Sequence, residues 1–415
     1  MLIGLVGCPN AGKSTFFKAA TLADVLIAAY PFATIKPNHG VGYVKIDCMC
    51  KEKGVTCNPQ KGYCINGIRF VPVELMDVAG LVEGASEGKG LGNQFLDNLT
   101  SADALIHIVD VSGETDAEGK ETKGYNPVQD VQMLENELDM WYLGILKKVW
   151  RVFARTLQNT KGDFAKEVAQ QFSGLKVSEE DVKDVIRKSD FNSEVSKKTS
   201  DSKTSKKTKE VFDIEKPNGW SDETLLKFAH ELRHISKPMI IAANKIDKEG
   251  SSANLDNLKR AYPEIMIFPC SADSELSLRM ASKGGLIEYV PGSSDFEEKG
   301  DLNDKQKQAL NSIKDNVLKK YGSTGVQEVL NKTVFDLLKY IAAFPAGASK
   351  LADSKGNILP DCFLIPDGST ALDFAEAVHS DLAKNFIKAI DARTGRAVGK
   401  EYKVKHRDGL EIVTR

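Results

Sequence analysis

The chain has 415 residues, of which 41% are hydrophobic and 27% are charged, and this length indicates two or three domains rather than one compact unit. Its 56 Lys and Arg residues nearly balance 58 Asp and Glu residues, giving a formal charge of −2, so that contact with nucleic acid would have to come from local basic clusters. No apolar run reaches membrane-spanning length and the amino terminus does not resemble a signal peptide. We therefore expect a cytoplasmic protein without membrane contact. We also expect it to be a monomer.

The first predicted element is a short apolar strand, followed by the glycine-rich stretch GLVGCPNAGKST at residues 4–15. This stretch contains Gly7-x4-Gly12-Lys13-Ser14 between a strand and a helix, which is the setting of a phosphate-binding loop. Glycines let backbone N–H groups surround phosphate oxygens, a lysine neutralises the outer phosphates, and a serine can bind Mg²⁺ at the helix start. The predicted nucleotide-binding residues here are Gly7, Cys8, Pro9, Asn10, Ala11, Gly12, Lys13, Ser14 and Thr15.

A cysteine-rich segment comes next. Four of the seven cysteines, Cys48, Cys50, Cys57 and Cys64, follow one another with the spacing C-x-C-x6-C-x6-C. This spacing is compatible with a zinc site, but a second C-x2-C pair, which would support it, is missing. The alternative is a loop that contains ordinary thiols, and the sequence leaves both interpretations open.

Polar residues follow the next predicted strand, VPVELM. In Asp77-Val-Ala-Gly80, the carboxylate can hold Mg²⁺ through water and the Gly80 amide can contact a terminal phosphate. Further strands are predicted in FVPVELMDVAG, ALIHIVDV, PMIIAANKID and IMIFPCSA, and their alternation with helical patterns predicts a parallel α/β sheet. Ligands of such sheets bind beyond the carboxyl ends of the strands, where these motifs fall.

An insertion separates Asp110 from Pro238, because this distance far exceeds the length of one crossover helix. Helices are predicted at 127–157, at 178–189 with a capping box of Ser178 and Asp181, and at 221–235. The Lys/Ser-rich segment 192–210 between them has nothing to bury, which predicts a disordered loop. Contact of its lysines with RNA phosphates is the alternative.

The motif Asn244-Lys245-Ile246-Asp247 ends the strand PMIIAA. The Asp247 carboxylate can accept both the ring N–H and the exocyclic amine of guanine, a pair of donors that adenine does not offer. Ser271 and Ala272 follow the next strand and fit a backbone donor to the guanine carbonyl. The sequence therefore predicts that Asn244, Lys245, Asp247, Ser271 and Ala272 bind the base and that the base is guanine.

After a helical stretch ending near Tyr340, the tail changes to short predicted strands (CFLIP, FIKAI, YKVK and LEIVT) around one helix at 371–384. This pattern predicts a separate small α+β domain. Its basic residues favour RNA backbone contact, with a solvated charged face as the alternative. They are Lys384, Lys388, Arg393, Arg396, Lys400, Lys403, Lys405 and Arg407.

The strings YPFATIKPN and DVAGLVEGASEGKGLGNQFLDNL, together with the tail, resemble the Obg superfamily of translation-associated P-loop GTPases, and within it the archaeal-type YchF branch. The resemblance implies an α/β fold made of a P-loop GTPase parallel sheet, an inserted helical coiled-coil arm and a carboxyl-terminal β-grasp TGS domain associated with RNA and ribosomes. On this basis the GTPase domain comprises 1–115 and 236–325, the arm 116–235 and the TGS domain 326–415. The resemblance also implies that Thr34 is the switch threonine and that residues 80–92 form the second switch.

The expected activity is slow hydrolysis of GTP with Mg²⁺, switching binding to RNA or the ribosome. Lys13, Thr34 and Gly80 are the expected catalytic residues, and Ser14, Thr34 and Asp77 the expected metal ligands. Some relatives replace the base-binding motif and prefer ATP, but NKID is intact here. The alternatives are a nucleotide-gated ribosome- or RNA-binding module with incidental hydrolysis, and an ATPase of the same family.

No side-chain general base is evident, because Leu81 stands where many GTPases have glutamine. His107 lies in a predicted strand and is interpreted as a packed core residue, while His39 is too loosely placed to assign. Asn10 has two interpretations: it helps to bind K⁺ over the phosphates, as in potassium-activated relatives, or it is a turn residue.

Overall fold

The computed structural model describes residues 1–21, 39–78, 80, 84, 99–160, 162–198, 212–347, 351–353 and 355–415, with the backbone alone for 189–198. Within this part of the chain a seven-stranded sheet has the order β2-β4-β1-β5-β6-β7, with β3 paired to β4. Its strands are β1 (Leu2–Val6), β2 (His39–Asp47), β3 (Tyr63–Ile65), β4 (Ile68–Asp77), β5 (Ala104–Asp110), β6 (Met239–Asn244) and β7 (Ile267–Pro269).

Five of these strands are parallel neighbours, from β4 through β1, β5 and β6 to β7, which confirms the predicted α/β sheet. Strands β1, β5 and β6 are buried along their whole length, as expected for a parallel sheet that is covered on both faces. Strands β2 and β3 run antiparallel to β4. They were not predicted, because glycine, lysine and cysteine residues interrupt their apolar residues and no continuous apolar run forms.

The register of the sheet brings the ends of four strands to one edge. Leu5 of β1 pairs with Asp77 of β4, and Asp110 of β5 pairs with Asn244 of β6. All the polar residues that the sequence places after these strands therefore lie along one edge of the sheet.

Helices flank and extend this sheet. They are α1 (Lys13–Thr21), α2 (Met49–Lys53), α3 (Val128–Thr160), α4 (Phe164–Gln171), α5 (Glu179–Lys198), α6 (Asp222–Ser236), α7 (Ser251–Ala261), α8 (Ala272–Lys283), α9 (Asp304–Ile313), α10 (Val326–Asn331), α11 (Ala371–Val378) and α12 (Ser380–Lys384). Short π-helical segments, Lys314–Leu318 and Lys332–Leu337, continue α9 and α10. Strands β8 (Ile287–Glu288) and β9 (Glu297–Glu298) form a separate hairpin. No helix in the described ranges combines the length and the apolar character that crossing a bilayer requires.

Helices α3 to α6 form the inserted arm, and three of them match the helices predicted from the sequence. The arm has its own core, in which aromatic side chains such as Trp150, Phe164, Trp220 and Phe228 pack together. The base of α3 instead packs on the sheet, where Leu134 joins residues of β1, β4 and β5. The arm is therefore fastened to the sheet at one end and is stabilised by apolar contacts of its own further out.

The predicted capping box at the start of α5 is present, because Asp181 N donates to Ser178 Oγ and Ser178 N donates to Asp181 Oδ2. The helix continues to Lys198, so the first residues of the predicted loop 192–210 are helical. Lysine and glutamate are good helix formers, and adding residues to an existing helix costs less than starting one. Residues 199–210 of that loop lie outside the described residues.

The carboxyl-terminal β domain is a five-stranded sheet with the order β11-β10-β14-β12-β13. Its strands are β10 (Tyr340–Pro345), β11 (Phe363–Pro366), β12 (Phe386–Asp391), β13 (Ala397–Val398) and β14 (Gly409–Thr414). Helix α11 covers the sheet, with Phe374 buried against Ile341 and Leu410. The core of this domain is thus separate from the core of the arm.

Two details of the tail differ from the prediction. The YKVK segment is not a strand, since only an isolated bridge joins Lys403 to Thr370. The single helix predicted at 371–384 is two helices, because His379 has an extended backbone (φ −166°, ψ 135°). The helical stretch before the domain ends at Leu337, and its Gln327 and Asn331 side chains donate to Tyr43 O and Lys45 O of β2, each at 2.8 Å.

Candidate nucleotide-binding site

The loop between β1 and α1 packs so closely on the sheet that two of its positions accept only glycine. Gly7 has a φ of +146°, and a Cβ atom there would lie 2.3 Å from the carbonyl oxygen of Ile108 in β5. Gly12 has a φ of +98°, and its Cβ would lie 2.2 Å from Asn244 Nδ2. The two glycines therefore let the loop lie directly over β5 and β6.

Lys13 begins α1 and is only 8% exposed. Its Nζ donates to the Cys8 carbonyl oxygen at 2.8 Å, so the ammonium group folds back over the loop. Burial lowers the pKa of Lys13, although the nearby Asp77 carboxylate opposes this shift. Gly80 lies beside this group, since a Cβ atom there would be 3.4 Å from Lys13 Nζ.

Ser14 and Asp77 form the part of the site that fits a divalent ion. Ser14 Oγ donates to Asp77 Oδ2 at 2.9 Å. Two adjacent ligands of an octahedral Mg²⁺ ion, each about 2.1 Å from the metal, lie about 3 Å apart. The separation and the chemistry of these two oxygen atoms therefore fit Mg²⁺ bound directly by both, whereas the sequence suggested contact through water for Asp77. The third predicted ligand, Thr34, lies outside the described residues.

Asn244 connects the phosphate loop to the base-binding side of the site. It is 3% exposed, its Nδ2 donates to Ala11 O at 2.8 Å, and its Oδ1 accepts from Ala272 N at 3.0 Å. These two hydrogen bonds engage both the nitrogen and the oxygen of the side-chain amide with neighbouring loops. We therefore place Asn244 as a positioning residue that holds the loop of Gly12 and the start of α8 at a fixed separation.

Asp247 is exposed and lies next to Ser271, the residue that caps α8. Ser271 Oγ donates to Asp247 Oδ1 at 2.7 Å, and Ser271 N donates to Thr324 O at 2.9 Å. Within the described ranges Asp247 Oδ2 accepts no hydrogen bond. The carboxylate is thus oriented by Ser271 and still has acceptor capacity for a ligand.

Asp110, at the end of β5, is a site residue that the sequence analysis missed. It is 1% exposed and accepts hydrogen bonds from Lys245 Nζ at 2.7 Å, from Ser112 and from Thr115. Burial opposes ionisation, but these hydrogen bonds hold the pKa of Asp110 below its ordinary value. The signal was available in the sequence, because Asp110 ends a parallel strand next to the one that carries Asn244.

Asn10 adopts a left-handed backbone conformation with a φ of +61°. Its Nδ2 donates to Gly119 O at 2.8 Å, and a Cβ atom on Gly119 would lie 2.8 Å from Pro9 Cβ. The segment containing Gly119 therefore lies against the phosphate loop. The backbone conformation and this contact support the role of Asn10 as a turn residue. Among the described residues its side-chain oxygen, Oδ1, accepts no hydrogen bond and so has capacity for an ion.

The two histidines considered as bases lie in different surroundings. His107 is fully buried in β5, and burial lowers its pKa to about 3, with a smaller contribution from Lys13. It is therefore a neutral core residue, as predicted. His39, at the start of β2, is held by a contact of 2.8 Å between its Nδ1 and Glu74 Oε1.

Of the predicted second switch, residues 80–92, the structure describes only Gly80 and Gly84. The backbone N–H of Gly84 donates to Glu137 Oε1 of α3 at 2.6 Å. Glu137 is 8% exposed, so this is a buried hydrogen bond between the end of the Asp77 segment and the base of the arm. The remaining switch residues and Thr34 stay predictions.

Models of three families match the chain. The model described as 50S ribosome-binding GTPase matches residues 2–140. The model described as Obg-like GTPase YGR210-like, G4 motif-containing domain matches residues 242–347, and the TGS domain model matches residues 354–414. The first match covers the phosphate loop and Asp77, the second covers Asn244 and Asp247, and the third covers most of the carboxyl-terminal β domain.

Individual proteins are similar over the whole chain. It is 46% identical over 414 residues to a GTP-binding protein of Methanocaldococcus jannaschii, covering 100% of this chain and 99% of that protein. It is 28% identical to the ribosome-binding ATPase YchF of Buchnera aphidicola, covering 93% and 86% of the two chains. The crystal structure of a GTP-binding protein from Pyrococcus horikoshii OT3 is 40% identical, with a TM-score of 0.75 and full coverage of both chains.

Proposed function

Because the chain belongs to the Obg-like GTPases of the YchF and YGR210 branch that carry a TGS domain, we propose that it binds GTP with Mg²⁺ and hydrolyses it slowly to GDP and phosphate. We further propose that the bound nucleotide switches its binding to the ribosome or to RNA. The observation that carries this proposal is that the sheet brings Lys13, the Ser14 and Asp77 pair, and Asp247 to one edge.

The choice of GTP depends on Asp247. Relatives are described either as GTP-binding proteins or as ATPases, so family membership alone does not select the base. The Asp247 carboxylate, oriented by Ser271, has acceptor capacity for the two adjacent N–H donors of guanine. Adenine presents the N1 acceptor and a C–H group there, which offer the carboxylate no N–H donor and would leave it unsatisfied.

Different residues of this chain would bind the metal ion and stabilise the phosphate charge during hydrolysis. Mg²⁺, when bound, neutralises negative charge that develops on the phosphates. Ser14 and Asp77 would hold it, while Lys13 places a buried positive charge over the loop, where electrostatic stabilisation is strong. No glutamine follows Gly80, His107 is buried within β5 and His39 is paired with Glu74. We therefore propose that attack depends on water that backbone or partner groups position, and the expected turnover is slow.

A ribosome-binding switch predicts that nucleotide state changes affinity. We expect the full chain to cosediment with ribosomes several-fold better with a non-hydrolysable GTP analogue than with GDP, because the terminal phosphate supplies contacts at Lys13 and Gly80 that GDP lacks. The measurement is the fraction pelleted at equal protein concentration, with Lys13→Met as the control that should not respond. Equal pelleting with the two nucleotides would contradict the switch.

A nucleotide-gated binding module is the second candidate, favoured by Leu81 in place of a water-orienting glutamine. Turnover measured with and without ribosomes separates the two functions. Strong stimulation by ribosomes supports a GTPase cycle, whereas nucleotide-dependent docking without faster hydrolysis supports the module.

For the RNA-facing surface we propose the exposed basic residues of the tail, such as Lys388, Arg396 and Lys405. Two of the eight basic residues considered from the sequence form ion pairs with the first domain. Arg393 and Arg407 both form ion pairs with Glu52, and Arg407 Nε also donates to Asp47 O at 2.9 Å. These two arginines therefore join the tail to the first domain rather than extending a free basic surface.

We also propose K⁺ as a candidate activator, through the side-chain oxygen of Asn10. Turnover in potassium chloride is then expected to exceed turnover in sodium chloride several-fold at equal ionic strength, because an added cation near the phosphates offsets their charge. Steady-state phosphate release measures this, and Asn10→Ala should remove the difference between the salts. Equal wild-type rates in both salts would exclude the role of K⁺.

A further inference from the structure

The four cysteines of the cysteine-rich segment converge on one point. Cys48 follows β2 and precedes α2, Cys50 lies in α2, Cys57 follows in the loop, and Cys64 lies in β3. Their sulfur atoms all lie within 4.8 Å of one another, and the pairs Cys48–Cys57 and Cys50–Cys64 are 3.9 Å apart. All four are free thiols rather than disulfides.

These separations fit a single tetrahedral metal ion. Four sulfur ligands at about 2.3 Å from a zinc ion lie about 3.8 Å from one another. An iron–sulfur cluster with several metal atoms needs its cysteines further apart, because they surround the whole cluster rather than one ion. Sulfur ligands in this arrangement select zinc over the oxygen-preferring ions Mg²⁺ and Ca²⁺.

A buried positive charge beside the cluster also favours a zinc ion bound by four thiolates. Arg69 is fully buried, and its strand position pairs with Cys64. Its guanidinium donates to the carbonyl oxygens of Leu359 and Pro360, each at 3.0 Å, and no carboxylate among the described residues lies within ion-pair distance. A buried cation without a counter-charge is costly. Four thiolates around Zn²⁺ carry two net negative charges and would supply that counter-charge.

We propose that Cys48, Cys50, Cys57 and Cys64 bind one Zn²⁺ ion in a structural site that fastens the carboxyl-terminal part of the chain to the first sheet. Four protein ligands leave no open position for a substrate, which is the character of a structural rather than a catalytic zinc site.

The contacts of the loop between the last two ligands explain this fastening. Asn58 N donates to Ile358 O and Gln60 N donates to Pro360 O, each at 2.8 Å. Together with the two hydrogen bonds of Arg69, these hold the segment that leads into β11. The zinc ion would fix both ends of the loop and so keep its donors aligned with the carbonyl oxygens of residues 358–360.

The site lies away from the nucleotide. Asp47, next to Cys48, pairs with Ile68 at the start of β4, whereas Asp77 ends the same strand. Ile68 and Asp77 are the ends of a ten-residue strand and therefore lie about 30 Å apart. Loss of zinc is therefore expected to loosen the carboxyl-terminal domain without changing GTP affinity.

Metal analysis of the full chain tests the proposal. The protein is purified with reductant and dialysed against metal-free buffer. Inductively coupled plasma mass spectrometry is then expected to detect about one zinc ion per chain. Cys57→Ser and Cys64→Ser should each reduce bound zinc roughly tenfold or more. Cys362→Ala, which changes a buried cysteine outside the cluster, should retain it.

A second measurement does not depend on the folding of variants. Removing zinc from the wild-type protein with a chelator should lower its thermal unfolding temperature and speed protease cleavage near residues 351–360, and adding zinc back should reverse both. Replacement by Co²⁺ should give the intense visible absorption of tetrahedral thiolate coordination. Wild-type protein without zinc after growth in zinc-supplemented medium, iron in its place, cysteines paired as disulfides, or equal zinc in the Cys57→Ser protein would each overturn the proposal.

Discussion

Replacing Asp247 by asparagine is expected to convert the protein from one that prefers GTP into one that prefers xanthosine triphosphate. Xanthine has a carbonyl group where guanine has its exocyclic amine, and the asparagine amide can donate to it. The amide can still accept the hydrogen bond that Ser271 Oγ gives to Asp247 Oδ1, at 2.7 Å, so the loop should keep its conformation. GTP affinity should fall about 100-fold or more, because a charged acceptor is lost and the amide N–H donor faces an N–H donor of guanine.

Calorimetric titration of GTP, ATP and xanthosine triphosphate measures this change. Asp247→Ala should lose GTP affinity without gaining affinity for xanthosine triphosphate, which separates base recognition from general damage. Glu249→Gln is the matched control, since it removes an exposed carboxylate two residues further on. If the asparagine variant kept its preference for GTP, or if wild-type protein bound ATP more tightly, the proposed base recognition would be wrong.

Replacing Lys13 by methionine is expected to reduce GTP hydrolysis on the order of 1000-fold, because the only group at the start of α1 that places positive charge over the phosphates is lost. The methionine keeps the apolar stem of the side chain. Because the ammonium group is buried and its pKa is lowered by that burial, the stability of the nucleotide-free protein should change by less than about 2 kcal/mol.

Single-turnover hydrolysis and thermal unfolding of the nucleotide-free protein together check this prediction. Lys18→Met is the matched control, because Lys18 is exposed on the same helix, and it should leave both quantities unchanged. Near-normal hydrolysis by the Lys13→Met protein, or an equal loss in the Lys18→Met protein, would remove Lys13 from the mechanism.

The phosphate loop could be predicted from sequence because its chemistry is local. Gly7, Gly12, Lys13 and Ser14 lie within eight residues, and a strand before and a helix after fix their arrangement. The base-binding motif could be placed for a related reason, since parallel neighbouring strands bring their carboxyl ends together. The reason for Gly12 could not be predicted, because the atom that excludes a side chain there belongs to Asn244.

The convergence of the four cysteines could not be predicted from the sequence. The irregular spacing left both zinc and ordinary thiols open, and whether the four sulfur atoms meet depends on how β2, α2 and β3 are arranged in space. The basic tail is similar: a count of positive charges cannot show that Arg393 and Arg407 are both directed at Glu52. Long-range pairing of charges is a tertiary property that composition does not encode.

The hydrogen bond from Gly84 to Glu137 joins the segment after Asp77 to the longest helix of the arm. Helix α3 has 33 residues and is therefore about 50 Å long, and this bond holds it near its base. A displacement of Gly84 that preserves this buried hydrogen bond must move Glu137 with it, either by rotation of the side chain or by movement of the helix. If the helix tilts about its contact with the sheet at Leu134, its far end moves further than Glu137 does, because it lies further from that contact.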